Sequence, residues 1–593
     1  MTVLKNLLHG LKKLAQRLGK IQAYGGIIMM ISAKKSGFYF GSFLLLLVLV
    51  TATAVYAVEP YVEPIYEPEE IVEPELVFAN LVGNLPILDM PFYDGDFVLS
   101  APPGVHEQAF DLTVLIPSIP DAVIYFTIDG NDPMPGEDRF VTRGDRIIQL
   151  SGRLPADGMI GVHDRSGYWG NAILTYHSRY WSYRDTLPAN DAEILQGTAF
   201  CFRGFVNGEP VTEIITATYI IAQNANARFA NRPIIAVTAP YEDFLYIYSH
   251  ANRNDITRRR IFNYEYFELG EAEYSRIFSL LGSSSLGGWG SRPYAQRTIN
   301  VHFARGRLDG VITHPIFEGL YELYRFRLWN GGQTFFWDHM RDPFAQTASA
   351  MLNVRHSDDN LAIKFINGEY WGFTTMREHN SNAQFVNTRF GLKQDNVAMV
   401  TNLWSINEGS EGEVRALIRH LTEFTNSYDM STDHARERLF TEFFCLYNFM
   451  DYVISNTFFG NADWPFNNMR MFRAITPNPN SLNPYEDGRW RFIFHDMDWA
   501  PRSGDRRYAD SNFSFLYEHF RELPHGGHGN RNNSHFQVFN NQVFVEQFIE
   551  RANYVLENYY SQEQLLALHD EFSMRYMPLL PEMYNRFAIG GGG

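Results

Sequence analysis

The sequence predicts an α+β protein, preceded by an all-β sandwich and by one apolar N-terminal segment. Three observations carry this. Residues 100–222 break into short runs with period-2 alternation, separated by Gly, Asp-Gly, Asn-Asp-Pro and Asn-Gly turns. From Pro233 onward, strand-like runs mix with longer helical ones. Phe38 to Tyr56 is nineteen residues without a charge, long enough to cross a bilayer. A chain of 593 residues also exceeds one core, so two or three domains are expected.

Residues 1–57 form a basic segment followed by the apolar one. Lys34 and Lys35 precede the apolar run and the first acid, Glu59, follows it. The positive-inside rule keeps the tail in the cytoplasm and exports the body. Val55-Tyr56-Ala57 resembles a small-residue cleavage site, so signal peptide and transmembrane anchor both stay open. Leu4, Leu7, Leu8, Leu11, Leu14 and Leu18 follow helical spacing opposite Lys5, Lys12, Arg17 and Lys20, as in a basic amphipathic helix on a membrane surface. A start at Met29 or Met30 is the alternative.

The formal net charge is −17, and the residues after Val58 carry 43 bases against 67 acids. A body this acidic repels a phosphodiester backbone, which argues against nucleic acid as a partner. Cys201 and Cys445 are far apart in apolar contexts, which fits core residues rather than a disulfide framework or zinc site.

Residues 58–99 open with EPYVEPIYEPEEIVEP, where proline and like charges favour an extended spacer. In the sandwich that follows, residues 155–190 read as an inserted loop rich in Tyr and Trp. AVIYFTIDGNDPMPG with the closing run TATYII resembles the small sandwich module at the C-terminus of chitobiases. That resemblance implies an accessory or spacer role.

Residues 233–587 make the larger unit. LAIKFINGEYWGFTTM reads as a β-hairpin with Asn367-Gly368 as a type I′ turn. The run from Arg297 to Phe303 reads as a strand after the glycine-rich turn GGWG. Helices are expected at FVNTRFG, at EGEVRALIRHLTEF, from Thr432 to Phe459 and from Phe539 to Phe587. MRMFRAI and RWRFIFHD read as a second strand pair.

One stretch concentrates polar chemistry. GNADWPFNN, at Gly460–Asn468, places Asn461, Asp463, Asn467 and Asn468 at the end of an apolar helix. Asp463 and Asn468 have the spacing D-x-x-x-x-N, in which kinases use the Asp to accept a hydroxyl proton and the Asn to hold a metal. RWRFIFHDMDWA then ends in Asp496 and Asp498, which extended geometry would project to one side. Magnesium takes hard oxygen ligands, and Asn468, Asp496 and Asp498 offer them. An Asx-turn cluster or a structural calcium loop is the alternative reading. His525 and His528 in a glycine loop, with His535, have metal-ligand chemistry, but such spacing on a glycine loop reads more often as flexible surface. Trp464, Tyr370, Trp371 and Trp499 read as core or as walls of an adenine pocket.

NGEYWGFTTMREHN, GNADWPFNNMRMFR and GRWRFIFHDMDW, together with LGGWGSRPYAQRTINVHF and VTAPYEDFLYIY, resemble the signature segments of the spore coat protein H (CotH) kinase family. The resemblance runs from about Pro233 to Phe587. It implies an atypical, bilobal protein-kinase-like domain that moves the γ-phosphate of ATP to protein Ser or Thr, with Mg2+ or Mn2+, outside the cytoplasm. By position it implies Asp463 as catalytic, and Asp496, Asn468 and Asp498 as metal-binding. It implies Arg297 as nucleotide-binding and gives Glu378 a recurrent acidic position, which pairs with that cation, touches metal or only charges a helix N-terminus; Arg292, after the glycine turn, is a second phosphate candidate. The partners it implies are a Ser/Thr-rich protein acceptor and, through residues 38–56, the membrane.

One departure stands out. Arg297 occupies the place where the family strand carries Lys, and a planar fork does not replace a point charge neutrally. A degraded scaffold acting in surface binding or adhesion is therefore the second reading, and a related transfer such as AMP or glutamate attachment the third. Lys364, in LAIK, reads as a surface residue.

Overall fold

The computed structural model describes residues 91–135, 141–143, 147–150, 195–249, 255–292, 294–336, 338–461, 463–465, 467–500 and 534–587. The apolar segment 38–56, most of the Glu-Pro spacer, the insertion 155–190, His525 and His528 lie outside them. Among the described residues no helix is long and apolar enough to cross a membrane.

The N-terminal β-region is two sheets over one core. Strands β1 (Phe92–Asp94), β2 (Phe97–Leu99), β4 (Phe110–Leu115) and β7 (Ile147–Leu150) form the first sheet. The second is made by β3 (Gly104–His106), β10 (Ile215–Ile221), β8 (Thr198–Val206), β5 (Val123–Thr127) and β6 (Val141–Arg143), with β9 (Glu209–Pro210) beside β8. Leu99, Leu112 and Val114 of one sheet meet Phe126, Phe202 and Ala217 of the other. Alternation in the sequence buries every second residue against the opposite sheet, which is why these runs fold as a sandwich.

Seven further strands close into a barrel. They are β11 (Ile234–Thr238), β12 (Arg260–Leu269), β13 (Tyr274–Leu286), β14 (Ile299–His302), β15 (Arg325–Trp329), β16 (Asp359–Ile366) and β17 (Glu369–Glu378), in the order β11-β12-β13-β14-β15-β17-β16. Closure is parallel, with Ile234 of β11 opposite Ile363 of β16. The Asn367-Gly368 turn joins β16 to β17, and both residues have positive φ (47° and 83°), as a type I′ turn requires. Strand β14 begins at Ile299, so Arg297 precedes it instead of lying on it.

The sandwich is bonded to this barrel. Glu265 on β12 is fully buried, accepts from Thr218 of β10 and pairs with Arg276 of β13, which also pairs with Asp94. Gly197 N–H donates to the Gly368 carbonyl at 2.6 Å.

The chain leaves the barrel at Glu378 for a second, mainly helical body. Here β18 (Val397–Thr401), β19 (Ser405–Glu408), β20 (Arg470–Ala474) and β21 (Arg491–Ile493) form a sheet in the order β19-β18-β20-β21. Beyond the single turn Ala225–Arg228, the helices in chain order are α1 (Tyr241–Tyr248), on the barrel, then α2 (Arg341–Ala348), α3 (Ala383–Phe390), α4 (Glu411–Ser427), α5 (Asp433–Arg438), α6 (Leu446–Phe458), α7 (Gln542–Asn558), α8 (Gln562–Tyr576) and α9 (Leu580–Phe587), with Phe572, Tyr576, Met583 and Phe587 of the last two packed in the barrel core. The expected single helical run from Thr432 is interrupted. A π-type turn at Leu439–Phe443 and an extended Phe444 separate α5 from α6.

The aromatic core of this body fixes the end of α6. Tyr452 stacks on Phe492 of β21, with ring centroids 4.4 Å apart, and Trp464 meets Tyr452 edge-on at 5.8 Å. Trp464 is fully buried, so truncating it costs about 3–5 kcal/mol. The polar loop at 460–468 therefore hangs from a rigid apolar anchor.

Candidate active site

The loop after α6 folds on its own side chains. Asn461 Oδ1 accepts the N–H of Asp463 at 3.3 Å, and Asn461 Nδ2 donates to Asn456 Oδ1 at 3.0 Å and to the Asp496 carbonyl at 3.2 Å. Asn461 thus stitches the loop to the chain leaving β21. Asn468 adopts φ 59°, a left-handed conformation that Asn tolerates better than most side chains. Its Nδ2 lies 3.4 Å from Asp463 Oδ2. The Asx turn expected as the alternative reading is present, and it also orients Asp463.

Asp496 and Asp498 are joined by a turn. Strand β21 ends at Ile493, and the Asp498 N–H donates to Asp496 Oδ1 at 3.3 Å. Strand alternation is therefore not what unites them. Burial, then the charge of Asp342, pushes the half-buried Asp496 carboxyl up to about 6, and Asp463 adds to the shift. Burial and the Asp496 charge hold Asp498 well above the usual carboxylate range. Asp498 accepts the N–H of Gln333 at 2.6 Å. At Gly332 a Cβ would stand 2.2 Å from Asp498 Oδ2, so only glycine lets that loop approach.

A fourth carboxylate, Asp342 near the start of α2, is fully buried. It accepts from Gln346 Nε2 at 3.0 Å and from the N–H of Met497 at 2.5 Å, and it pairs with Arg377 Nη1 at 2.5 Å. Asp342 therefore connects the aspartate turn to the barrel.

Three arginines face these acids. Arg327 of β15 lies opposite Arg377 of β17, so both project from the same face of the barrel. Arg377 would be lowered by burial, but Asp342, Asp359 and Asp496 outweigh that and raise it. Burial lowers Arg327 to about 10 and Arg470 of β20 to about 9, with neighbouring arginine charge adding and Asp496 opposing in both. Arg470 donates to Asn380 Oδ1 at 2.7 Å and to His495 Nδ1 at 2.8 Å. Nε of Arg327, and Nε and Nη2 of Arg377, are buried without a hydrogen-bond partner. Unsatisfied guanidinium N–H groups are expensive, and an anion beside Arg327 and Arg377 would satisfy these.

The remaining sequence-predicted residues lie elsewhere. Arg297 is fully buried and donates to the carbonyls of Arg292 (2.5 Å) and Tyr248, while stacking on the Tyr248 ring. Its fork closes the C-terminal end of α1, a structural use. Arg292 gives its carbonyl to that contact, and its Nε has no partner. Glu378 is buried, accepts from Arg389 Nε at 2.9 Å, and lies on the strand next to Arg377, which directs the two to opposite faces. Arg389 also holds Asp358, so Glu378 belongs to an ion network where the chain crosses between the two bodies.

Lys364 is not a surface residue. It is fully buried on β16, its Nζ has no partner, and burial pushes it down to about 7. His535 is a core histidine against Phe444 and Phe536. Tyr370, Trp371 and Trp464 are core, and Trp499 is half-buried. The sequence reading missed Arg327, Arg377, Arg470 and Asp342. For the arginines the signal was a guanidinium within strands that read as largely buried, RFRLW, EYWGFTTMRE and RMFRA; Asp342, on a helix, had none.

Among the described residues no three His, Cys, Asp or Glu side chains converge as a ready metal cage. The donors present still fit a magnesium ion, which keeps several waters and takes only one or two carboxylates. The Asp496 charge disfavours ionisation of Asp498, and a divalent cation beside them would favour both carboxylates in the charged form. No curated protein matches the chain. Residues 338–587 match the family model described as CotH kinase protein, a span that holds Asp342, Arg377, Asp463, Asn468, Arg470, Asp496 and Asp498 and marks this part of the chain as kinase-like.

Proposed function

We propose that this protein is a magnesium-dependent protein kinase that moves the γ-phosphate of ATP to a Ser or Thr hydroxyl. The observation that carries the reading is a charge cluster: Asp496 acts on the buried arginines Arg327, Arg377 and Arg470, and Asp463 lies near enough to raise Asp496. Phosphoryl transfer needs little covalent help from the protein and much charge stabilisation and positioning. Arg327, Arg377 and Arg470 bind phosphate oxygens, with the unpaired N–H groups of Arg327 and Arg377 as donors. Asp463, held by Asn468, accepts the proton of the acceptor hydroxyl. Asp496 and Asn468, with Asp498, hold Mg2+ (or Mn2+), which when bound neutralises phosphate charge.

In this reading Arg297 and Arg292 support the barrel and do not contact nucleotide. Arg297 then no longer argues for a scaffold without catalysis, the reading it best supported. The N-terminal segment, as signal or anchor, puts the kinase on the outer side of the membrane, and the sandwich serves as a chitobiase-type spacer. Purified protein incubated with [γ-32P]ATP, Mg2+ and a Ser/Thr-rich acceptor tests this. Transfer is expected, reduced about 10²-fold or more by Asp463→Ala. Undiminished transfer by that variant refutes the role of Asp463.

A further inference from the structure

A polar row on the outer face of the barrel runs to the Arg327–Arg377 pair. Directly opposed residues of neighbouring strands project from the same face. Ser285 of β13 lies opposite Asn300 of β14, Asn300 opposite Arg327 of β15, and Arg327 opposite Arg377 of β17. Arg259, just before β12, extends the row by donating Nη1 to Ser285 Oγ at 2.9 Å. Two residues along the strands, Ser283 faces His302, and His302 faces Arg325.

This margin is cationic. His302 is pushed down to about 4, by burial first and then by the charges of Arg325, Arg305 and Arg259. Arg305 is exposed and Arg259 half-buried. Among the described residues neither makes an ion pair, and the acid acting on the group is Glu408, through Arg325. On a protein of net charge −17 such a strip is conspicuous. Trp289, 85% exposed, stands on the adjoining loop, whose Gly287 packs against Asn300.

We propose that this strip docks an anionic acceptor peptide, one bearing carboxylate or phosphate groups beside the Ser or Thr to be modified. The proposal rests on the kinase reading and names its substrate class. Opposite charge along an approach path raises encounter rate and selects partners. From Arg259 to Arg327 the row crosses three inter-strand spacings, roughly 14 Å, or about four residues of extended peptide. An anionic residue at Arg259 therefore stands about four positions along the peptide from the residue at Arg327, taken as the Ser or Thr end of the row.

The test uses the full chain without nucleotide, and fluorescence anisotropy of labelled peptides with one Ser. Four positions from it stands Glu, phosphoserine or Gln. The anionic peptides are expected to bind about tenfold tighter than the Gln peptide, an advantage that shrinks with salt. The double variant Arg259→Ala/Arg305→Ala loses that advantage and still binds ATP as the wild type does, while Arg259→Lys/Arg305→Lys retains it. The tighter of the Glu and phosphoserine peptides identifies the natural anion. Equal binding of Glu and Gln peptides, or an advantage that survives the alanine variant, overturns the proposal. Anion-selective peptide binding without phosphate transfer refutes the kinase reading alone.

Discussion

Arg377 and Asp342 form a buried ion pair, Nη1 to Oδ2 at 2.5 Å, between the barrel strand that leads out to the second body and the helix beneath the aspartate turn. Asp342 also accepts the N–H of Met497, between Asp496 and Asp498. The pair therefore sets where the acids stand relative to the barrel arginines. Breaking a buried pair by removing one partner leaves the other charge unpaired, at about 3–5 kcal/mol. Asp342→Ala is expected to unfold at clearly lower denaturant concentration than wild type. An unchanged midpoint would contradict the role given to the pair.

Arginine is assigned to phosphate at Arg327 and to structure at Arg297. Arg327→Gln is expected to weaken ATP binding about tenfold or more, the worth of one charge-assisted hydrogen bond, with little change in melting temperature. Arg297→Lys is expected to do the reverse, because a lysine cannot bridge the Arg292 and Tyr248 carbonyls as the fork does. Calorimetry and thermal melts on the two variants check both outcomes.

The Asp496 carboxyl is raised from 3.8 to about 6. The folded protein therefore binds more protons than the unfolded chain between those values, and this group lowers stability as pH rises through that window. Metal-free Asp496→Asn is expected to be more stable than wild type at pH 7, with the gap closing near pH 4. Saturating Mg2+ should stabilise wild type at pH 7 and the variant little. A constant gap across pH, in melts at four pH values, would contradict the raised carboxyl.

Lys364 gives a prediction of opposite sign. Burial lowers it from 10.5 to about 7, so it lowers stability fully below pH 7, and the penalty fades as pH rises toward 10.5. Lys364→Met keeps the stem and removes the charge. It is expected to stabilise the protein by a few kcal/mol at pH 7, since each tenfold weakening of proton binding is worth about 1.4 kcal/mol. Destabilisation in chemical denaturation would contradict the unpartnered state of Nζ.

Much of this architecture was legible, for local reasons. The turn type at Asn367-Gly368 follows from two residues that accept positive φ. Asp463 and Asn468 declare themselves by crowding short polar side chains at a helix end. The barrel was hidden because its closure pairs β11 with β16 across a long stretch of intervening chain, a contact no local pattern encodes. The arginine set was hidden because Arg327 and Arg377 meet only when β15 and β17 pair. Arg297 misled because a cation beside a glycine turn looks the same whether its fork meets phosphate or a carbonyl. Lys364 misled because a lysine in a strand is normally at the surface.

Calorimetric titration of the full chain with ATP, with and without Mg2+, beside Asp496→Asn, tests the central claim most directly. The account predicts that the wild type binds ATP in a Mg2+-dependent way and that the folded variant loses that dependence. Absence of ATP binding by folded wild type, or binding that neither Mg2+ nor the substitution alters, would contradict it.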